Sequence, residues 1–320
     1  MPLIDLPLES LATYSGRNPR PADFDTFWED GLAEVAALDP QVELTPSTFT
    51  TPLAECYHLW FTGTAGARVH AKYLRPRGRT TASPAILQFH GFGHHSGEWH
   101  EKLALVAEGQ CVAALDCRGQ GGLSQDLGTL RTSPGNGHLV RGLLDPDSRN
   151  LLYRHHYLDT VLLARIVGGF SEVDPARMSV MGNSQGGGLA LACAALVPSI
   201  RRAALKFPFL CDWQRVWEMD LAKDAYAELR DFFRRHDPEH QHAMLWWHRL
   251  GYIDVAHLAP RIEATVLMAV GLMDTICPPS TQFAAYNRIR SAKRLAIYPD
   301  YGHEVLPGFM DEAHRFLTRA

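Results

Sequence analysis

The feature that most restricts this 320-residue chain is Gly182-Asn183-Ser184-Gln185-Gly186. It directly follows the apolar run Met178–Met181 and precedes the small residues Gly187, Gly188, Ala190 and Ala192. A G-x-S-x-G sequence between a strand and a helix sits on a tight, strained turn, from which the serine hydroxyl projects above a sheet. Flanking glycines let neighbouring backbone come close. The helix start below the serine offers N–H groups and a positive dipole end to developing negative charge. A glycine-rich phosphate loop is the competing reading, and it fails on spacing. Leu191 stands where G-x-G-x-x-G counted from Gly186 requires glycine, and no Walker lysine follows.

The surrounding rhythm agrees with that turn. From about residue 84, apolar runs occur at Ala85–Phe89, Cys111–Leu115, Met178–Met181, Ala203–Phe207, Val266–Val270 and Leu295–Tyr298. Helical patterns such as Leu151–Val167 and Gly188–Leu196 lie between them. Continuous apolar strands alternating with helices predict an α/β class with a mostly parallel sheet covered on both faces. With the serine turn, the expected architecture is the α/β-hydrolase fold. Upstream, Pro21–Ala37 has the apolar spacing of an amphipathic helix, through Phe24, Phe27, Trp28, Leu32 and Val35. Ala54–Phe61 and Val69–Leu74, joined through Gly63-Thr64-Ala65-Gly66, predict an antiparallel hairpin in this N-terminal extension. Asp212–Leu258, rich in aromatic, charged and histidine residues, reads as a helical insertion, a cap or an oligomer contact. It is too short for a confident domain of its own, so the expectation is one domain over residues 1–320.

A serine hydroxyl needs a base to become nucleophilic, and in this fold the partners follow in the order Ser, acid, His. His303 lies after the last predicted strand in a glycine-containing loop, whereas His314 falls within a helical pattern. Asp274 follows the run Val266–Val270, at the carboxyl edge where ligands gather in such sheets. Asp300 and Asp254 are the rival acids. Asp300 is only three residues from His303, and Asp254 belongs to the insertion. Oxyanion donors are expected from the backbone N–H groups of Gln185 and Phe92, the latter in the loop His90-Gly91-Phe92-Gly93. That loop region also holds His94, His95 and His100. With no H-E-x-x-H pattern they read as ordinary loop histidines, and no metal or cofactor is expected.

Composition removes other classes. With 31 Lys and Arg against 35 Asp and Glu, the formal charge is -4, which argues against nucleic acid as a partner. No apolar run approaches the roughly 18 residues that span a bilayer, so no membrane partner is expected. The N-terminus lacks the basic and apolar regions of a signal peptide, which predicts a cytoplasmic protein. Six scattered cysteines without a C-x-x-C pair read as buried free thiols.

Several segments together resemble the acetyl xylan esterase / cephalosporin C deacetylase family of carbohydrate esterases. They are Met1-Pro2-Leu3-Ile4-Asp5-Leu6-Pro7-Leu8, Asp23-Phe24-Asp25-Thr26-Phe27-Trp28, His90-Gly91-Phe92, Arg118-Gly119-Gln120, Gly182-Asn183-Ser184-Gln185-Gly186-Gly187, Gly251-Tyr252-Ile253-Asp254, Asp274 and His303-Glu304. The resemblance implies a serine esterase that removes acetyl groups from short sugars and from cephalosporin C. It implies Ser184, Asp274 and His303 as the triad, with backbone donors at Gln185 and Phe92. It further implies that Pro208 lines the pocket for a small acyl group, and that Arg118 and Gln120 brace loops near the site. Phe92 replaces the family's usual Tyr, which keeps a backbone donor and loses a hydroxyl. A homo-oligomer, a hexamer in the family, is the implied assembly. An α/β-hydrolase for peptides or longer acyl esters, and a non-catalytic binding protein on the same scaffold, remain open readings.

Overall fold

The computed structural model describes residues 4–126 and 138–319. Met1, Pro2 and Leu3 of the N-terminal segment quoted above lie outside the described residues. The strands are β1 (Glu43–Pro46), β2 (Ala54–Thr62), β3 (Arg68–Pro76), β4 (Ser83–Phe89), β5 (Cys111–Leu115), β6 (Val173–Asn183), β7 (Arg202–Lys206), β8 (Thr265–Gly271) and β9 (Lys293–Tyr298). They form one sheet in the order β1-β2-β3-β5-β4-β6-β7-β8-β9. Strands β1, β2, β3 and β5 pair antiparallel in that order. From β5 through β4 to β9 every pairing is parallel.

Side chains alternate across a strand, so each strand supplies two cores. Ala85, Leu87 and Phe89 of β4, and Cys111, Ala113 and Leu115 of β5, face one core. Ile86 and Val112 between them face the other, with Leu105, Val106, Phe309, Ala313 and Leu317. Helices Phe24–Ala37, Leu152–Gly168 and Gln185–Leu196 cover the first face. The short helix Leu103–Ala107 and the last helix, Phe309–Thr318, cover the second. This two-sided coverage is why the strands read as continuous apolar runs, and the α/β-hydrolase architecture expected from the sequence is borne out.

Boundaries moved at special backbone positions. The helix expected from Gly188 begins at Gln185, because the turn at Ser184 throws the chain straight into helical geometry. The run expected to end at Phe207 ends at Lys206, since Phe207 has φ of 35° and leaves the sheet. The first long helix starts at Phe24, not Pro21, with Asp23 preceding it. Strand β1 was not legible at all. Its four residues are all exposed and carry no apolar period.

Between β7 and β8 lie helices Trp213–Glu218, Ala227–His236, Ala243–Gly251 and Val255–Leu258. The N-terminal extension packs against them. Trp28 donates to the Tyr252 carbonyl at 3.0 Å, and the Tyr252 hydroxyl donates to Asp23 at 2.6 Å. Among the described residues no helix is long and apolar enough to cross a membrane.

One buried ion pair fastens the hairpin turn to the core. Arg118 donates to both Asp159 oxygens, at 2.5 and 2.6 Å, and to the Thr64 carbonyl at 2.8 Å. Burial pushes the Asp159 carboxyl up, and the Arg118 guanidinium opposes that shift. Removing one member leaves an uncompensated charge in a low-dielectric interior. Arg118→Ala is therefore expected to lose about 3–5 kcal/mol of unfolding free energy, measured by urea denaturation.

Candidate active site

Ser184 occupies the strained turn between β6 and helix Gln185–Leu196, with φ 56° and ψ -123°. A non-glycine residue there costs on the order of 1–3 kcal/mol and persists only where its surroundings hold it. The hold is visible on both sides. The Ser184 N–H donates to the Lys206 carbonyl, and the Ser184 carbonyl accepts from the N–H groups of Phe209 and Gly188. Glycine is required at Gly186 for packing: a Cβ there would stand 2.0 Å from the Phe89 carbonyl oxygen and 3.0 Å from that of His90. A Cβ on Gly182 would meet the Gly186 carbonyl oxygen at 2.1 Å. The first helical turn thus rests directly on the end of β4, where the His90–Gly93 loop begins.

Asp274 and His303 meet at the neighbouring strand ends. His303 Nδ1 lies 2.8 Å from Asp274 Oδ2. A carboxylate can only accept, so Nδ1 carries the proton and Nε2 keeps its lone pair. Asp274 is fully buried, and its Oδ1 accepts the N–H groups of Ile276 and Cys277, each at 2.8 Å. The His303 ring packs on Phe207 at 4.1 Å between centroids, while 20% of its side-chain surface remains open. The rival acids stand elsewhere. Asp300 is exposed. Asp254 accepts from the N–H groups of Asp212 and Ala256, and burial pushes its carboxyl up to about 7.

Cys277 joins these groups, and sequence reasoning gave it no place here. Its sulfur, a ring nitrogen of His303 and a carboxylate oxygen of Asp274 all lie within 4.8 Å of one another. Burial and the Asp274 charge push the thiol well above its usual range, and a hydrogen bond with the Ser184 side chain opposes them. Cys277 therefore lies beside the Asp274–His303 pair. A cysteine two residues before Pro279 carried no motif that marks such a role.

The loop that carries Phe92 is tied to Gln185 through the side chain of Gln120. The Gln185 and Gln120 amides pair reciprocally at 2.8 and 2.9 Å, and the Tyr153 hydroxyl donates to Gln185 Oε1 at 2.7 Å. Gln120 Oε1 also accepts the Gly93 N–H at 3.0 Å. This clamp fixes the residue after Phe92 relative to the start of the serine helix. The Phe92 ring contacts His138 and Phe209. Pro208 is buried, and its Cα would lie 3.0 Å from a Cβ on Gly187. It therefore packs against the same helical turn.

The loop histidines are partly engaged. His90 Nε2 accepts the Cys117 N–H at 2.9 Å, its Nδ1 faces the Gly91 carbonyl, and burial lowers its pKa. Sequence reasoning also missed the chain Asp116–His70–His58, linked at 2.6 and 2.8 Å. Against the effect of burial, hydrogen bonds from His70, Leu123 and Ser96 hold the Asp116 carboxyl below its usual range. The chain thereby ties β3 and β5 to the loops flanking the site. A cavity of about 270 Å³, lined by His90, Ser96, Lys102, Met181, Asn183 and Met310 among others, lies beside this loop. Its lining includes neither Ser184 nor His303.

A serine in a strained turn and an imidazole held by a buried carboxylate are parts that acyl transfer requires. Comparison with known proteins points the same way. The chain is similar to acetyl xylan esterase 1 from Thermoanaerobacterium sp. JW/SL YS485, with 52% identity, a TM-score of 0.96 and 98% of each chain covered. It is similar to the acetyl xylan esterase from Paenibacillus sp. R4, with 35% identity, a TM-score of 0.92, and 98% and 99% covered. It is also 25% identical over 302 residues to the acetyl esterase Axe7A of Xylanibacter ruminicola. That match takes in 92% of this chain and 65% of the relative, so the chain spans just under two thirds of that curated relative's length. The family model for acetyl xylan esterase (AXE1) matches residues 1–320, and the chain belongs to that family.

Proposed function

We propose that this chain is a serine esterase that removes acetyl groups from short acetylated sugars and related small acetyl esters such as cephalosporin C. The observations that carry the proposal are the hydrogen bond from His303 to the buried Asp274 carboxylate and the strained Ser184 turn. The 52% and 35% identical relatives are both acetyl xylan esterases, which supports the substrate class.

In this mechanism His303 Nε2 takes the Ser184 proton as the hydroxyl oxygen attacks the acetyl carbonyl. The N–H groups of Phe92 and Gln185 stabilise the oxyanion, and each such donor is worth about 3 kcal/mol of barrier. Protonated His303 gives its proton to the leaving sugar oxygen, which leaves an acetyl-enzyme. Water, deprotonated by His303, then releases acetate. Asp274 keeps Nδ1 protonated throughout and stabilises the imidazolium. Phe92 and Pro208 bound the acyl side, and the 212–258 insertion shapes the leaving-group side. No metal or cofactor takes part. The family resemblance adds the proposal of a homo-hexamer, and sedimentation velocity on the purified chain reads the subunit number.

Ser184→Ala is expected to abolish acetate release from acetylated xylo-oligosaccharides with the fold intact by circular dichroism. Wild-type rates in that variant would remove Ser184 from the mechanism. Asp274→Asn, which favours the wrong tautomer of His303, is expected to lower kcat by about 10³–10⁴-fold in steady-state assays. On p-nitrophenyl esters, kcat/KM is expected to fall steeply from acetate through butyrate to octanoate. Equal rates along that series would assign the site to longer acyl chains instead.

A further inference from the structure

Cys277 is a buried thiol for which the proposed reaction has no use, yet it sits among the groups that perform it. Its donors form an unusual set. Sulfur, imidazole nitrogen and carboxylate oxygen from Cys277, His303 and Asp274 lie within 4.8 Å of one another. Among the described residues this is the only group of three or more such side chains so placed. The other free thiols, Cys56, Cys111, Cys117, Cys193 and Cys211, belong to none, and neither do His90, His94, His95 and His100.

We propose that Asp274, Cys277 and His303 form an inhibitory binding site for a thiophilic divalent metal ion of the zinc and cadmium type. The inference rests on the proposed function only in calling the site inhibitory.

Three physical points support it. Thiolate, imidazole and carboxylate are the ligand types zinc takes, at about 2.0–2.3 Å. Those lengths place tetrahedral donors roughly 3.5 Å apart. The observed spacing therefore needs side-chain movements on the order of 1 Å, and no backbone rearrangement. The carboxylate is also presented for the purpose. Oδ1 of Asp274 is held by two N–H groups, and Oδ2 faces the histidine and the Gln282 amide. Finally, the His303 side chain is partly open, so an ion can enter along the imidazole to a thiol and carboxylate that are themselves buried.

Binding is an exchange without redox change. The sulfur–metal bond forms as the thiol proton leaves to solvent. If Nδ1 is the ligating nitrogen, its proton passes to Nε2. If Nε2 ligates, its lone pair is committed to the metal. Either way the imidazole can no longer accept a proton from Ser184.

The test uses zinc alone in equilibrium dialysis, on the wild-type chain and on Ser184→Ala. One zinc per chain is expected in both. Cys277→Ala is expected to weaken it by about 10–100-fold, and cobalt(II) in place of zinc should give a thiolate charge-transfer band that this variant lacks. Wild-type hydrolysis of p-nitrophenyl acetate should fall in step with zinc occupancy and return on chelation. Cys277→Ser, similar in size to the native residue, replaces the alanine variant if circular dichroism shows that alanine is not tolerated. Zinc affinity unchanged by either substitution, or one zinc bound without loss of rate, would overturn the proposal. Binding abolished by His94→Ala instead would do the same, moving the ion to the loop. The dialysis needs no catalysis. An inactive wild-type chain that binds zinc through Cys277 therefore retires the esterase reading alone, and an active one without such zinc retires the metal site alone.

Discussion

The contact between the first turn after Ser184 and the carbonyl groups at the end of β4 governs the arrangement of everything near the serine. Backbone lies on backbone, with no room for a Cβ at Gly182 or Gly186. Side-chain packing tolerates adjustments of a few tenths of an ångström, but carbonyl oxygens fixed in a sheet do not yield. The turn therefore holds Ser184 in a conformation it would leave if released. The same contact brings the His90–Gly93 loop beside the start of the helix, so the strain at one residue and the placement of its neighbours have one cause.

Around that contact, parallel strands deliver their groups to one edge. β4 ends in the Phe92 loop, β6 in Ser184, β7 in Phe207 and Pro208, β8 in Asp274, and the segment after β9 brings His303. Adjacent parallel strands place these ends side by side, so residues far apart in sequence, such as Phe92 and Phe209, become neighbours. The Gln120–Gln185 amide pair and the Arg118–Asp159 ion pair then fasten the intervening loops to the helices behind. The ion pair is buried and the amide pair partly so, and each costs more to break than it contributes when intact.

Much of this was legible in the sequence, and what was not has identifiable causes. The central strands were readable because both faces are covered and most of their inner positions are apolar. The serine turn was readable because its glycines answer a local steric demand. Asp274 and His303 could be placed by chain order and strand ends. β1 was not readable, since a short exposed edge strand such as Glu43–Pro46 has no buried face to impose a pattern. Cys277 and the Asp116–His70–His58 chain were invisible for a different reason. Their partners come from remote parts of the chain, and no spacing within a single segment encodes such a meeting.

All six sulfurs are free and buried. Burial raises the thiol pKa at each of them. Thiolate is the reactive form, so the folded chain is shielded from bulky electrophiles twice, by access and by protonation. Alkylation can then proceed only through openings of the structure. Cys193, buried in the serine helix, and Cys277, buried beside the His303 imidazole, should become reactive through excursions of different extent. The chain thus carries its own internal reporters, one for loss of the whole fold and one for loosening around the imidazole.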